Sequence, residues 1–229
     1  GPELPDVAAL VNPCRADCTF PFKHLASVGL AFYFAGALRR ALAGANWPGP
    51  LPDLRDLLDL VALGTVADIV PLVQDNRVFT THGLRRINQR PRFGMAALCA
   101  VSDLGGRPVT AGNIAFQLAP RLNAAGRLGD AHRGVALLLA RDAEEAKRMA
   151  AKLDRDNADR RMIEAEVLEA AMTQIGPDGP THRAVVVARR GWHPGVVGSG
   201  ASRLVDQRQR PAVVIAIDPD GLARGSCRS

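Results

Sequence analysis

The spacing of apolar residues changes once along this chain, near residue 176. Ahead of that point apolar positions recur at helical intervals. After it they fall in short continuous runs with turn residues between them. Residues 4–13 read as short, extended and bounded by proline. The most apolar stretch, 25–38, is followed by Arg39 and Arg40 and predicts a mostly buried helix over 25–43 that Gly44 can end. It is too short to span a bilayer. Residues 45–52 form a Trp/Pro/Gly loop. Asp53 predicts the cap of a helix running to about Leu63, with Leu54, Leu57, Leu58 and Leu60 as its apolar face. Asp68 then falls just beyond the helix, where the chain must turn. Further helices are predicted over 76–88, 95–102, 111–119 and 131–140. Thr110 caps the third and Pro120 stops it, which leaves 123–127 as a loop between helices.

Asp142 with Glu145 reads as a capping box opening a helix to Ile175, ended by Gly176 and Pro177. Its apolar stripe is carried by Ala146, Met149, Ala150 and Leu153, and again by Ile163, Val167, Leu168 and Ala171. Between them, residues 154–161 are polar on nearly every face. A helix polar all round for two turns commonly bridges two domains through solvent, and this one is read as the inter-domain connector. Residues 184–188 then predict a strand, 189–195 a tight turn, 196–207 a helix and 211–217 a second strand. This is a βαβ unit with parallel strands, and 221–229 start another strand. The fold class expected is α/β: two domains joined by a long helix, the first mostly helical here, the second beginning with a βαβ unit.

Composition adds an expected partner. The chain has 229 residues, 47% hydrophobic and 23% charged, as in a soluble globular protein. Its formal net charge of +6 favours an anionic partner, most simply nucleic acid, over a membrane surface. Cys14, Cys18, Cys99 and Cys227 are too scattered for a disulfide scaffold and read as reduced thiols in a cytoplasmic protein with no signal peptide. Cys14, Cys18 and His24 make half a zinc site that no second pair completes.

Two places carry candidate chemistry on their own residues. The run from Leu63 to Leu72 sets one carboxylate, Asp68, in an apolar sequence. Buried there, a lone carboxylate is costly unless paired, and a divalent metal is one natural partner; a helix cap or turn residue is the other reading. Gly195, Gly198 and Gly200 open the helix of the βαβ unit. Their spacing is G-x-x-G-x-G, and Trp192 and His193 occupy the turn where a pyrophosphate needs bare backbone. No dinucleotide cofactor is expected; close helix–strand packing explains the glycines, with the helix N-terminus left to meet a phosphate.

Seven segments in order extend this. They are Asn12-Pro13; residues 25–29; Gly64 to Asp68; Pro120-Arg121 with 123–127; Asn157 with Arg160-Arg161; Trp192-His193-Pro194-Gly195; and 225–229. Together they resemble the RecJ-type exonucleases of the DHH phosphoesterase superfamily. The resemblance implies two α/β domains joined by a long helix and flanking a groove for single-stranded DNA. It assigns residues 1–141 to the catalytic domain, 142–176 to the connecting helix and 180–229 to the start of the second domain. It also implies a two-metal centre, Mn²⁺ or Mg²⁺, that activates water for phosphodiester hydrolysis, with Asp68 as one ligand. Arg127, Arg121 and Asn123 match an arginine-bearing loop suited to gripping phosphate. Arg160 matches a further contact, and Ser226 with Arg228 match a pocket for the 5′ end, which would set 5′-to-3′ polarity. His193 is either a catalytic contact to phosphate or a structural histidine. Trp192 either stacks a base or belongs to the core.

The family's Asp-His-His motif precedes the segment that residues 1–5 resemble, and its Gly-Gly-His segment lies beyond residue 229. The expectation is therefore a partial chain, inactive alone, from a single-strand-specific 5′-to-3′ exonuclease of recombination and repair. A single-strand-binding protein or a helicase are candidate partners, and the oligomeric state stays open. The alternatives are a non-catalytic DNA-binding or scaffold relative, or a phosphodiesterase of short oligonucleotides or cyclic dinucleotides.

Overall fold

The computed structural model describes residues 5–90, 92–176 and 183–229. It divides into two compact units, Gly1–Ala119 and Pro120–Ser229. The sequence reading instead divides the chain at 141 and 176. The expected roles of Pro177 and of residues 1–4 lie outside the described residues.

In the first unit, residues 5–26 are irregular. α1 (Ser27–Gly44) ends at the expected glycine. Asp53 caps as expected, but what it caps is a single 3₁₀ turn, Leu54–Leu57, accepting from the Arg55 amide. The exposed Asp53 carboxylate, gripped by Arg55, sits at about 2, below its ordinary 3.8. α2 (Leu58–Ala67) follows and runs on through Gly64 instead of ending at Leu63. The glycine serves packing: a Cβ there would lie 2.9 Å from Val28 Cγ1, so its absence lets α1 seat closely on α2. α3 (Gln74–Gln89) joins α1 and α2 around Phe22, Leu25, Val61 and Phe79, and α4 (Phe93–Val101) follows with Met95, Leu98 and Cys99 buried. Phe32 and Tyr33 meet Phe79 edge-on at 5.2 and 5.8 Å, the offset geometry aromatic pairs prefer.

Pro120 does not stop a helix. α5 (Ala111–Asn113), with Thr110 and Asn113 in a capping box, leads into a π turn over Ile114–Leu118 and then α6 (Ala119–Leu128). The Ala119 amide bonds back five residues to the Ile114 carbonyl. That wide turn breaks the ordinary ladder just before the proline, whose missing N–H and bulky ring would otherwise disrupt it. Residues 123–127 are accordingly helical, not a loop.

The second unit contains α6, α7 (His132–Leu139), α8 (Ala143–Ile175) and α9 (Val197–Arg208) with a three-stranded sheet. α8 is capped by Asp142, which accepts from the Glu145 amide, and ends at Gly176, as its sequence predicts. β1 (Val185–Arg190) pairs parallel with β2 (Ala212–Ile217), with Val185 opposite Ala212. β3 (Ala223–Arg228) pairs antiparallel with β2 and sets Ser226 opposite Val214. The core joins Val185, Val187, Ala212 and Val214 of the sheet to Leu204 of α9 and Val167 and Ala171 of α8. The expected mixed α/β class is what the structure shows: mostly helical, with one small sheet. Among the described residues no helix is long and apolar enough to cross a membrane.

Candidate nucleic-acid interface

Two of the sequence segments meet at one point in the second unit. A Cβ on Gly195 would lie 2.2 Å from the Arg127 carbonyl oxygen, so only glycine lets the turn after β1 close on the end of α6. Arg127 Nη1 donates to the Gly195 carbonyl at 3.4 Å, and its exposed guanidinium has no carboxylate partner among the described residues. The Gly195 amide donates to His193 Nδ1 at 3.0 Å. That bond fixes the tautomer: Nδ1 is the acceptor, so a neutral ring carries its proton on Nε2. His193 thus shapes the turn.

Beyond the same turn, the open site of a Cβ on Gly198 lies 3.6 Å from both Ser226 Oγ and Arg228 Nη2. Ser226 and Arg228 of β3 therefore border the first turn of α9. The N-cap residue, Val196, offers no side-chain oxygen to that turn. Arg127 thus reaches this segment at Gly195 and Arg228 approaches it at Gly198. Asn123 is exposed on α6 one turn ahead of Arg127.

Other candidates fall elsewhere. Arg121 Nε is bound to Asp154 at 2.8 Å and only 17% exposed, so it braces α6 against α8. Arg133 of α7 does the same with Asp156 at 2.7 Å. Asp154 and Asp156, in the polar middle of α8, thus receive ion pairs from α6 and α7. Trp192 is 8% exposed and lies in the core, which leaves it no free face for a base.

Arg160 donates to Glu164 Oε2 at 2.7 Å and to Asn157 Oδ1 at 3.3 Å. Arg203 of α9 holds the other carboxylate oxygen, Oε1, at 2.6 Å. Burial pushes the Arg160 guanidinium below its usual value, Glu164 pulls it back up, and Arg127, Arg161 and Arg203 push it down again. Two guanidinium groups, those of Arg160 and Arg203, thus meet one buried carboxylate. Glu164 and Arg203 were missed from the sequence, although Arg160 and Glu164 stand four residues apart, the spacing of a helical ion pair.

In the first unit, Asp68 is the C-terminal cap residue of α2, and it is exposed rather than buried. Ile69 after it holds φ +57°, a left-handed value that β-branched residues rarely adopt, and is 88% exposed. The buried carboxylate of this unit is instead Asp59. Arg92 Nε donates to one of its oxygens at 2.7 Å, and the Leu60 amide to the other at 2.8 Å. Among the described residues, no three His, Cys, Asp or Glu side chains converge as a metal centre. Asp68 alone offers one carboxylate, so the residues described do not fit a two-metal site by themselves.

No protein-family model matches the chain. Individual proteins do. The chain is 45% identical over 232 residues to the single-stranded-DNA-specific exonuclease RecJ of Bacillus subtilis, covering all of this chain and 28% of that protein. It is 42% identical over 244 residues to the Escherichia coli RecJ, covering all of this chain and 41% of the relative. The crystal structure of Thermus thermophilus RecJ in complex with Mn²⁺ superimposes with a TM-score of 0.77 at 34% identity, over 92% of this chain and 30% of that one. A second Thermus thermophilus structure, with Mg²⁺, matches equally well. The chain spans well under half the length of these relatives, and throughout that span sequence and fold agree: it belongs to the RecJ family.

Proposed function

We propose that this chain serves a metal-dependent exonuclease that degrades single-stranded DNA from the 5′ end in recombination and repair. The names of its relatives support that activity. Within it, the second unit grips the phosphate backbone, and the observation that carries this is the meeting of Arg127 with the Gly195 turn beside Ser226 and Arg228. Arg127 meets this segment at Gly195 and Arg228 approaches it at Gly198, and neither guanidinium has a carboxylate partner among the described residues. Such forks bind phosphate in bidentate fashion without reading bases. Ser226 and Arg228 are assigned to a terminal 5′ phosphate. Arg121 and Trp192 are not among the proposed contacts, because one is committed to Asp154 and the other to the core.

The metals proposed are Mn²⁺ or Mg²⁺, the ions bound in the Thermus structures. Asp68 contributes a single ligand to that set, and no step is assigned through it. Residues 1–141, 142–176 and 180–229 are proposed as catalytic domain, connector and second domain. A cytoplasmic setting and engagement of a single-strand-binding protein or a helicase belong to the same proposal.

Binding of a fluorescein-labelled thymidine oligonucleotide by the intact protein across a salt series tests the phosphate grip. Arg127→Ala weakens binding and lowers the slope of log K against log salt by about 0.7, the value for one single-strand phosphate contact. Arg228→Ala loses the preference for a 5′-phosphorylated end. Unchanged slope and unchanged end preference in both variants would remove the proposal.

A further inference from the structure

Glu164, Arg160 and Arg203 form an ion cluster between α8 and α9. Glu164 is 3% exposed, and each of its oxygens is taken by a different arginine. Arg160, on the same helix, is itself only 15% exposed. The second arginine leaves the trio with a surplus positive charge. A phosphate is the kind of group that would balance that charge.

The two arginines are also held differently. Arg160 is fixed from two sides, by Glu164 and Asn157, and is largely covered. Arg203 is half exposed, and Glu164 takes it through Nε at 2.6 Å. The edge formed by its two terminal nitrogens has no partner among the described residues. A half-exposed guanidinium tethered by one carboxylate keeps donors with which to meet a phosphate.

We propose that Arg203 is a further phosphate contact and that Glu164 is its positioning residue, with Arg160 and Asn157 anchoring Glu164 from behind. This rests on the reading that the second unit grips single-stranded DNA by its phosphates, and it adds a contact from α9 to those of α6 and β3.

The sign of one substitution tests it. Glu164→Gln removes a negative charge from the proposed binding face, so charge alone makes it bind DNA more tightly. Loss of positioning makes it bind more weakly, by roughly tenfold, the scale of one charge-assisted contact. The measurement is oligonucleotide binding by the intact protein, with folding checked by circular dichroism. Tighter or unchanged binding by folded Glu164→Gln overturns the inference. Should that variant fail to fold, the half-exposed Arg203 decides. Arg203→Ala lowers the salt slope by about 0.7, and Arg203→Lys keeps the slope but loses affinity; a slope unchanged in Arg203→Ala overturns the inference. Where Arg127→Ala weakens binding and the Glu164 and Arg203 variants do not, only this inference fails. Where the unaltered protein does not bind the oligonucleotide, the phosphate-grip reading fails first.

Discussion

Asp68 ends an apolar helix whose last carbonyls carry partial negative charge. A carboxylate at that end is repelled, by about 0.3–1 kcal/mol at a surface position, unless a cation offsets it. No basic residue lies in the last turn of α2. With metal removed by a chelator, Asp68→Asn is therefore expected to raise stability by that amount in urea unfolding. A loss of stability would mean that Asp68 holds the fold together in a way its exposure hides. The chain after it reinforces the point, since Ile69 adopts a left-handed conformation with its side chain 88% exposed. Strain of this kind is tolerated where the surrounding structure imposes it, often at sites of function. The two carboxylates buried among the described residues have the opposite arrangement. Asp59 and Glu164 each bind arginine and contribute to packing. Neither was visible as buried in the sequence: Asp59 meets an arginine 33 residues away, a separation that no local pattern encodes.

At the scale of elements, the junction of α6 with the turn after β1 is the tightest made by a glycine in the second unit's candidate site. Gly195→Ala forces a methyl into the Arg127 carbonyl. Overpacking of this kind costs about 1–3 kcal/mol. Gly44→Ala, at the end of α1 with open space around it, is the control and is expected to be neutral or slightly stabilising. Urea unfolding of both variants checks this, and equal midpoints would show that the turn and α6 can separate freely. Legibility followed the same line between local and distant. The cap at Asp142, the stop at Gly176 and the parallel βαβ pairing were readable, because each is set by residues adjacent in sequence. The run of α2 past Gly64 was not, because the reason for that glycine is Val28 on another helix. Nor was the helical state of 123–127, since proline reads as a stop unless a wide turn precedes it, and a π turn has no sequence signature here. The candidate site was half legible for the same reason. Arg127, His193, Ser226 and Arg228 came from motif resemblance, while the commitment of Arg121 to Asp154 and of Trp192 to the core depends on folding.

For the whole molecule, the surplus of positive charge and the scarcity of aromatic residues, 4% of the chain, bear on the same question. Trp192 is buried, and the exposed aromatic residues Tyr33, Phe34, Trp47, Phe93 and Phe116 all lie in the first unit, so in the grip proposed for the second unit phosphate contacts carry binding. That makes recognition tolerant of sequence and sensitive to salt. Cleavage has a separate requirement. A two-metal mechanism needs several oxygen or nitrogen ligands held in one place, to activate a water and to stabilise the leaving oxygen. Among the described residues Asp68 supplies one and nothing converges on it. Binding and cleavage should therefore separate experimentally. The 229-residue chain on its own is expected to retain oligonucleotide with a steep salt dependence and to leave it intact in Mn²⁺. A labelled single strand incubated with the purified chain and resolved on a denaturing gel gives the answer. Mn²⁺-dependent degradation that disappears in Asp68→Ala would show that these residues assemble a working metal centre, which one exposed carboxylate at a helix end gives no physical means to do.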